Sequence, residues 1–310
     1  MTLNELAMDC ADQLATKAAA WRVAVSTVSR ARIIDCGGAA PGGVYAGLQM
    51  ARVCTAGLAD VEIEPGQDGP LIQVFSDDPV RACLASQYAG WQIKVGKFFA
   101  MGSGPMRAAY GKEALFDHIP HAREQPPVAV GVLETRSHPT QEVVTYLAER
   151  LPNCVEKMTL LVAPASSMAG TIQVVARSLE TALHKLHELK FDLSQVVSGY
   201  GVAPLPPVAA EEVKAIGWTN DAILYGGHVI LWVRADDEML ASVGPKVPSS
   251  ASSDHGAPFA ELFTRYQGDF YKIDPLLFSP AVVEFRNLKT GRTHRFGRVE
   301  LEVLRKSFGG

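Results

Sequence analysis

Cysteine is scarce and poorly placed for structural chemistry. The five cysteines, Cys10, Cys36, Cys54, Cys83 and Cys154, are odd in number, scattered and without CxxC spacing. That argues against a disulfide framework or a structural zinc site and fits a reducing compartment. Positive charge is not in excess either. Lys and Arg number 29 against 33 Asp and Glu, for a formal charge of −4, which argues against a nucleic-acid binder with the basic face that phosphate backbones require but leaves room for one local basic pocket. No uninterrupted apolar run approaches the ~20 residues of a membrane span. The opening MTLNELAMDC carries acids early and lacks a basic start followed by an apolar run, so no secretory leader is expected. Neither GxGxxG after a strand nor GxxxxGK[ST] occurs, so Rossmann and P-loop folds are not expected. The eight histidines show no HxxxH ligand spacing, and with no acid partner evident for the loose His184/His187 pair no metal is expected.

What is present is a chain that can bury a core. At 47% hydrophobic and 20% charged residues it is globular, and 310 residues suffice for one large domain or two ordinary ones. These features point to a cytoplasmic protein without nucleic-acid or membrane partners.

Periodicity predicts a helix over residues 3–30, a short strand at Arg32–Cys36, a glycine-rich loop from Gly37 to Gly43 and a helix over Val44–Leu58. Strands are expected at 61–64 and 71–75 around the turn Pro65–Pro70, and a helical stretch is expected after Pro79. Further on, the pattern predicts a buried strand at 126–133, a helix over Thr140–Leu151 with Thr140 as N-cap, and a strand at 158–163. One long helix is expected across Thr171–Leu189 and a short one over 209–216, followed by the strand HVILWV. Gly244–Pro258 reads as a mobile polar loop, and the C-terminal region as a hairpin of 281–287 with 293–301. Strands and helices mix without a repeat, so the class is α/β or α+β.

Two stretches carry chemistry. Cys83–Pro105, CLASQYAGWQIKVGKFFAMGSGP, crowds Gln87, Tyr88, Trp91, Lys94, Lys97 and Ser103 beside a Gly-Ser-Gly-Pro turn. A pocket for a flat, hydrogen-bonding ligand needs such a mixture, and a glycine-rich turn beside lysine can hold an anion; a buried strand with an ordinary turn reads equally well. In the second stretch, Ile172, Val175, Leu179, Leu183 and Leu186 form an apolar helical stripe, with Gln173, Arg177, Glu180, His184 and His187 on a stripe beside it. Arg177 and Glu180, at i and i+3, make either a surface ion pair of about 0.2–0.5 kcal/mol or an acid–base unit. Asp35 with Gly37 and Gly38, Asp221, and Asp254 with His255 follow as polar turn candidates; Asp254 reads equally as a cap for a helix entering at Pro258.

The 83–105 segment resembles methenyltetrahydromethanopterin cyclohydrolase. So do APASSMAGTIQVVARSLETAL (Ala163–Leu183), GWTNDAILYGG (Gly217–Gly227), DHGAPFAELF (Asp254–Phe263) and GDFYKIDPLLFSPA (Gly268–Ala281), in order along nearly the whole chain. The resemblance implies two intimately associated α/β domains, with boundaries near 80 and near 155–165, and a ligand pocket between them. It implies Arg177 and Glu180 as the catalytic pair; Gln87, Tyr88, Trp91, Lys94, Lys97, Ser103, Gln173, Asp221 and Asp254 are the substrate-contact candidates by residue type and position. Tyr88 departs from relatives that carry a lysine there. The implied reaction is reversible hydrolysis of the methenyl bridge of 5,10-methenyltetrahydromethanopterin to the 5-formyl form, in methylotrophic formaldehyde oxidation or in methanogenesis. The pterin carrier is then the substrate, no cofactor is tightly bound, and a homo-oligomer is expected, with the trimer as candidate form. A non-catalytic pterin carrier and a cyclohydrolase for folate-type carriers are the alternatives.

Overall fold

The computed structural model describes residues 1–267 and 272–309. The first four residues of the GDFYKIDPLLFSPA block therefore lie outside the described residues. Helix α1 (Leu3–Thr16) begins on a capping box: Thr2 accepts the Glu5 N–H at 3.2 Å, and the Glu5 carboxylate takes the Thr2 N–H at 2.7 Å. The helix expected over 3–30 stops well short. After α2 (Ala18–Trp21), Arg22 turns left-handed at φ 56°, and Ala24–Val28 forms β1, antiparallel to β2 (Ala31–Asp35). Alanine propensity carries the first half of the stretch, whereas the β-branched residues of AVSTV suit a sheet.

Helix α3 (Val44–Cys54) follows the glycine-rich loop, and β3 (Asp60–Gly66) and β4 (Gly69–Ser76) flank a turn at 67–68. A π-helical turn, Val80–Gln87, leads into the hairpin of β5 (Trp91–Val95) and β6 (Phe98–Ser103). Next come α4 (Met106–Tyr110), β7 (Val128–Glu134), α5 (Gln141–Ala148) and β8 (Lys157–Ala163). Thr140 is the N-cap residue of α5, but its side chain makes no capping bond. The single helix expected across 171–189 is two, α6 (Met168–Val175) and α7 (Ser178–Glu188).

Strand β9 (Val196–Pro204) precedes α8 (Glu212–Gly226), which runs ten residues past the end expected at 216 and takes in Asp221. Strand β10 (His228–Val233) and α9 (Asp237–Val243) follow. The stretch expected to be a mobile loop instead folds into short 3-10 turns at Gly244–Lys246 and Ser249–Ala251, with Ser249, Ser252 and Asp254 buried. After α10 (Phe259–Arg265), β11 (Val282–Asn287) and β12 (Thr293–Gly297) make the expected hairpin, and the chain continues into α11 (Leu301–Phe308).

The chain divides into two compact units. The first comprises Met1–Asp60 and Arg81–Gln173, the second Val61–Val80 and Val174–Gly310. The first unit holds a six-stranded sheet of order β1-β2-β8-β7-β6-β5, parallel across β2, β8 and β7 and antiparallel at its flanks. Its core includes Ile33, Ile93, Leu133, Leu147 and Leu160. The second unit holds a six-stranded sheet of order β12-β11-β10-β9-β4-β3, in which β10 and β11 run parallel while β12 with β11, β10 with β9 and β9 with β4 run antiparallel. Tyr225, Phe259, Leu262, Leu277 and Leu304 form a cluster in that unit. Both units are mixed α/β. No described helix is long and apolar enough to cross a membrane.

Candidate functional site

The break between α6 and α7 falls at the predicted catalytic pair. VVARSLE contains neither proline nor glycine, so helical periodicity alone runs straight through it. In the structure Arg177 sits at φ −90°, ψ 6°, in the bridge region where many active-site residues are found, and its N–H bonds to Val174 O at 3.0 Å in an i→i+3 turn. A new helix then starts at Ser178. Arg177 Nη1 lies 3.8 Å from Glu180 Oε2, with side-chain exposures of 9% and 6%. The pair is therefore buried, which removes the solvated surface bridge from consideration. Removing one member of a buried pair costs about 3–5 kcal/mol rather than tenths.

Strand β9 explains how this turn seats so deeply. Gly199 and Gly201 alternate along the strand and leave one face bare. A methyl group on Gly201 would fall 2.6 Å from Ser178 Oγ and 2.9 Å from Leu179 N, and one on Gly199 would fall 2.7 Å from Leu179 Cδ1. The first turn of α7 thus rests directly on sheet backbone. The signal was visible as glycines at period two in SGYGV, a spacing that marks close approach to a strand.

In the first unit, the 83–105 segment is organised by a residue that the sequence reading passed over. Arg107 is fully buried; its Nη1 donates to Leu84 O (3.1 Å) and Ser86 O (3.3 Å), and the guanidinium engages the Glu113 carboxylate through Nε (2.9 Å) and Nη2. It thereby satisfies carbonyls at the end of the π-helical turn, a rare element often found at functional sites. Tyr88 places its ring 4.9 Å from the Arg107 guanidinium carbon. Ser103 and Gln87 converge on Cys54, whose sulfur lies 3.4 Å from Ser103 Oγ and 3.8 Å from Gln87 O. Trp91 pairs with Gly102 across the hairpin and stacks on Tyr110 at 4.1 Å.

Lys94 and Lys97 are exposed at the other end of that hairpin. Lys94 is opposite Phe99, and Lys97 follows the left-handed Gly96. From Phe98 to Ser103 is about 16 Å at ~3.3 Å per residue, so the lysines and the Gly-Ser-Gly-Pro turn do not converge.

Three predicted polar turns are engaged otherwise. Asp35 takes the N–H groups of Gly37, Gly38, Ala39 and Ala40 at 2.6–3.0 Å, which fills the glycine-rich loop with the protein's own anion. Burial works to raise its pKa, but these four donors outweigh it and hold the carboxyl below the usual range. Asp221 is not in a turn: from within α8 it accepts the Phe259 N–H at 2.8 Å and the Ser307 hydroxyl at 2.5 Å, so it, and not Asp254, caps α10. Burial pushes Asp221 up to about 7 despite those two bonds. Asp254 accepts from Tyr266 OH at 2.8 Å and from the Asp274 N–H at 2.9 Å. Gln173 is buried on α6, so the stripe that joined it to Arg177 is interrupted by the helix break. His184 and His187 lie with ring centroids 6.4 Å apart, and His184 Nε2 approaches Glu188 at 3.9 Å.

A family model described as Cyclohydrolase (MCH) matches residues 2–308. The chain belongs to that family. It is 46% identical to a methenyltetrahydromethanopterin cyclohydrolase of Rhodopirellula baltica, covering 99% of this chain and 95% of the relative. The proteins of the same name from a Methylobacterium species and from Methanospirillum hungatei are 45% and 40% identical; those matches cover 99% and 100% of this chain and 97% and 99% of the relatives. The cyclohydrolase family thus has similar members in a methylotroph and a methanogen, and the Arg177–Glu180 turn is set within a chain matched almost end to end.

Proposed function

We propose that this cyclohydrolase hydrolyses the methenyl bridge of 5,10-methenyltetrahydromethanopterin to the 5-formyl compound, with Glu180 moving the protons. The observation that carries the proposal is the buried Arg177–Glu180 pair, 3.8 Å apart on the first turn of α7. The methenyl carbon is cationic and conjugated, so it accepts water without further activation. Glu180 takes a proton from the attacking water, giving a neutral tetrahedral adduct. The same carboxyl then returns that proton to one ring nitrogen, which leaves as the adduct's hydroxyl gives up its own proton to solvent, so the formyl C=O forms on the other nitrogen and one proton is released per turnover. General acid–base work of this kind supplies ~10²–10⁴-fold. Arg177 fixes the direction of the carboxylate and balances its charge between turnovers, and the negative carboxylate favours the cationic bridge.

No tightly bound cofactor enters this scheme, because the carrier already holds the electrophile. Gln87, Tyr88, Trp91 and Ser103 are assigned to the pterin end. Lys94 and Lys97, set apart on the hairpin tip, are assigned to the carrier's anionic tail. The protein is assigned as a homo-oligomer, and light scattering at the single-chain 33.3 kDa would refute that assignment.

The deciding experiment mixes purified protein with the methenyl forms of the methanopterin and folate carriers and follows loss of the conjugated absorbance. Faster loss with the methanopterin carrier is expected. No acceleration over buffer with either carrier overturns the proposal, and preference for the folate form changes the substrate.

A further inference from the structure

Lys185 is the one lysine among the described buried side chains, at 1% exposure. It stands on α7 five residues beyond Glu180, about 140° around the helix from it at ~100° per residue. Its Nζ donates to Leu276 O, and the Asp274 carboxylate lies close enough to favour its charge. Asp274 is itself held: it accepts the Ser252 hydroxyl at 2.6 Å and the Leu276 N–H at 3.0 Å, and its own N–H goes to Asp254. The Asp254 carboxylate in turn accepts from Tyr266 OH. One flank of the helix is therefore fastened by a charged side chain to a turn whose polar groups are mutually satisfied.

A leucine or methionine would fill the same space more cheaply, since an ammonium is costly to bury unless it is paired and hydrogen-bonded. An apolar side chain, however, lets a helix roll or slide on its neighbours, whereas a directed bond to a backbone carbonyl fixes both rotation and height. Glu180 requires that fixity. A displacement near 1 Å at a reacting group costs on the order of 10²-fold in rate.

We propose that Lys185 is a positioning residue for the reaction, clamping α7 from the flank away from Glu180 onto the Asp274–Leu276 turn and so setting where the carboxylate meets the methenyl carbon. The inference rests on Glu180 as the proton-transfer group. Burial pulls the Lys185 ammonium down to about 8, with Asp274 opposing, so the clamp is charged at neutral pH. Burial also works against the Asp274 charge, but Ser252, the Leu276 N–H and Lys185 outweigh it and keep that carboxyl below its ordinary range.

The test measures kcat and KM for the methenyl carrier with Lys185→Met, Asp274→Asn, Glu180→Gln and the Lys185→Met/Glu180→Gln double variant, per folded molecule at neutral pH. Lys185→Met is expected to lower kcat by ~10–100-fold with KM changed less than about threefold, and to add no further loss in the Glu180→Gln background. Asp274→Asn keeps the shape and the acceptor for the Leu276 N–H, and is expected to lower kcat less. If Lys185→Met does not fold, Asp274→Asn decides. A lysine that only stabilises the fold would lower the melting temperature and leave kcat per folded molecule within twofold, and that result overturns the inference. An active Glu180→Gln protein instead removes the reading on which it rests. An inactive Glu180→Gln beside normal Lys185→Met and Asp274→Asn proteins removes the clamp alone.

Discussion

Gly201 and Ser178 are in contact through backbone and hydroxyl, with no room between them for a methyl group: a Cβ at Gly201 would fall 2.6 Å from Ser178 Oγ and 2.9 Å from Leu179 N. Backbone cannot step aside as a flexible side chain can, so Gly201→Ala must lift the first turn of α7 off β9. We expect a loss of about 1–3 kcal/mol, the ordinary range for overpacking, together with a marked fall in turnover. Gly217→Ala on α8 is the control, since its nearest neighbours are at 3.5 Å and alanine is the better helix former, giving up to ~1 kcal/mol of added stability. Thermal unfolding and assay of both variants check this; a fully active Gly201→Ala protein would contradict it.

Glu180→Gln is expected to keep the fold and carrier binding while turnover drops at least ~10²-fold, the lower end for lost acid–base catalysis. Arg177→Ala leaves its carboxylate partner buried, so it should cost about 3 kcal/mol or more of stability as well as activity. Denaturant unfolding separates this from an exposed pair, which is worth only about 0.2–0.5 kcal/mol.

Asp221→Asn should flatten a pH dependence of stability. Burial pushes the folded carboxyl up to about 7 from its ordinary 3.8, so the folded state holds this proton to higher pH than the unfolded chain does. Its contribution is therefore most favourable below about pH 4 and is lost as pH rises to about 7, by on the order of 4 kcal/mol. Asparagine still accepts the Phe259 N–H and can donate to Ser307. The variant should match the wild type near pH 4, exceed it at pH 8 and bind the carrier unchanged. Melting curves at the two pH values, with KM measured beside them, decide.

Lys94 and Lys97 are assigned to an anionic tail, so alanine at both should raise KM without lowering kcat. The wild-type KM should also rise with ionic strength, and the double variant's should do so less. A KM indifferent to both lysines would leave them as solvated hairpin charges.

The sequence displayed β2, β3, β4, β7, β8, β10 and β11 well, as apolar or β-branched runs bounded by turn residues, but β1 read as part of a helix and β9 was not read at all. It displayed Arg177 and Glu180 through the family motif, but not their burial, which depends on two glycines some twenty residues away on β9. The break after Ala176 left no local mark, since it follows from how Ser178 and Leu179 meet those glycines. Arg107 and Lys185 were missed for a related reason. A lone cation looks solvated until the fold brings carbonyls such as Leu84 O and Leu276 O to it. Asp221 erred the other way, a polar residue beside Asn220 that read as a turn and proved to be the buried cap of α10.

The division of the chain has a consequence for how this protein can be rearranged. Residues 61–80 belong to the second unit yet lie inside the sequence of the first, and β4 from that insertion is hydrogen-bonded along β9 from Leu71–Pro204 to Ser76–Gly199. No single cut therefore yields either unit whole. A fragment beginning at residue 174 would bare the β9 edge that carries Gly199 and Gly201, and one ending at residue 173 would carry two orphaned strands. Neither unit is thus a cassette that one continuous stretch of the chain can carry.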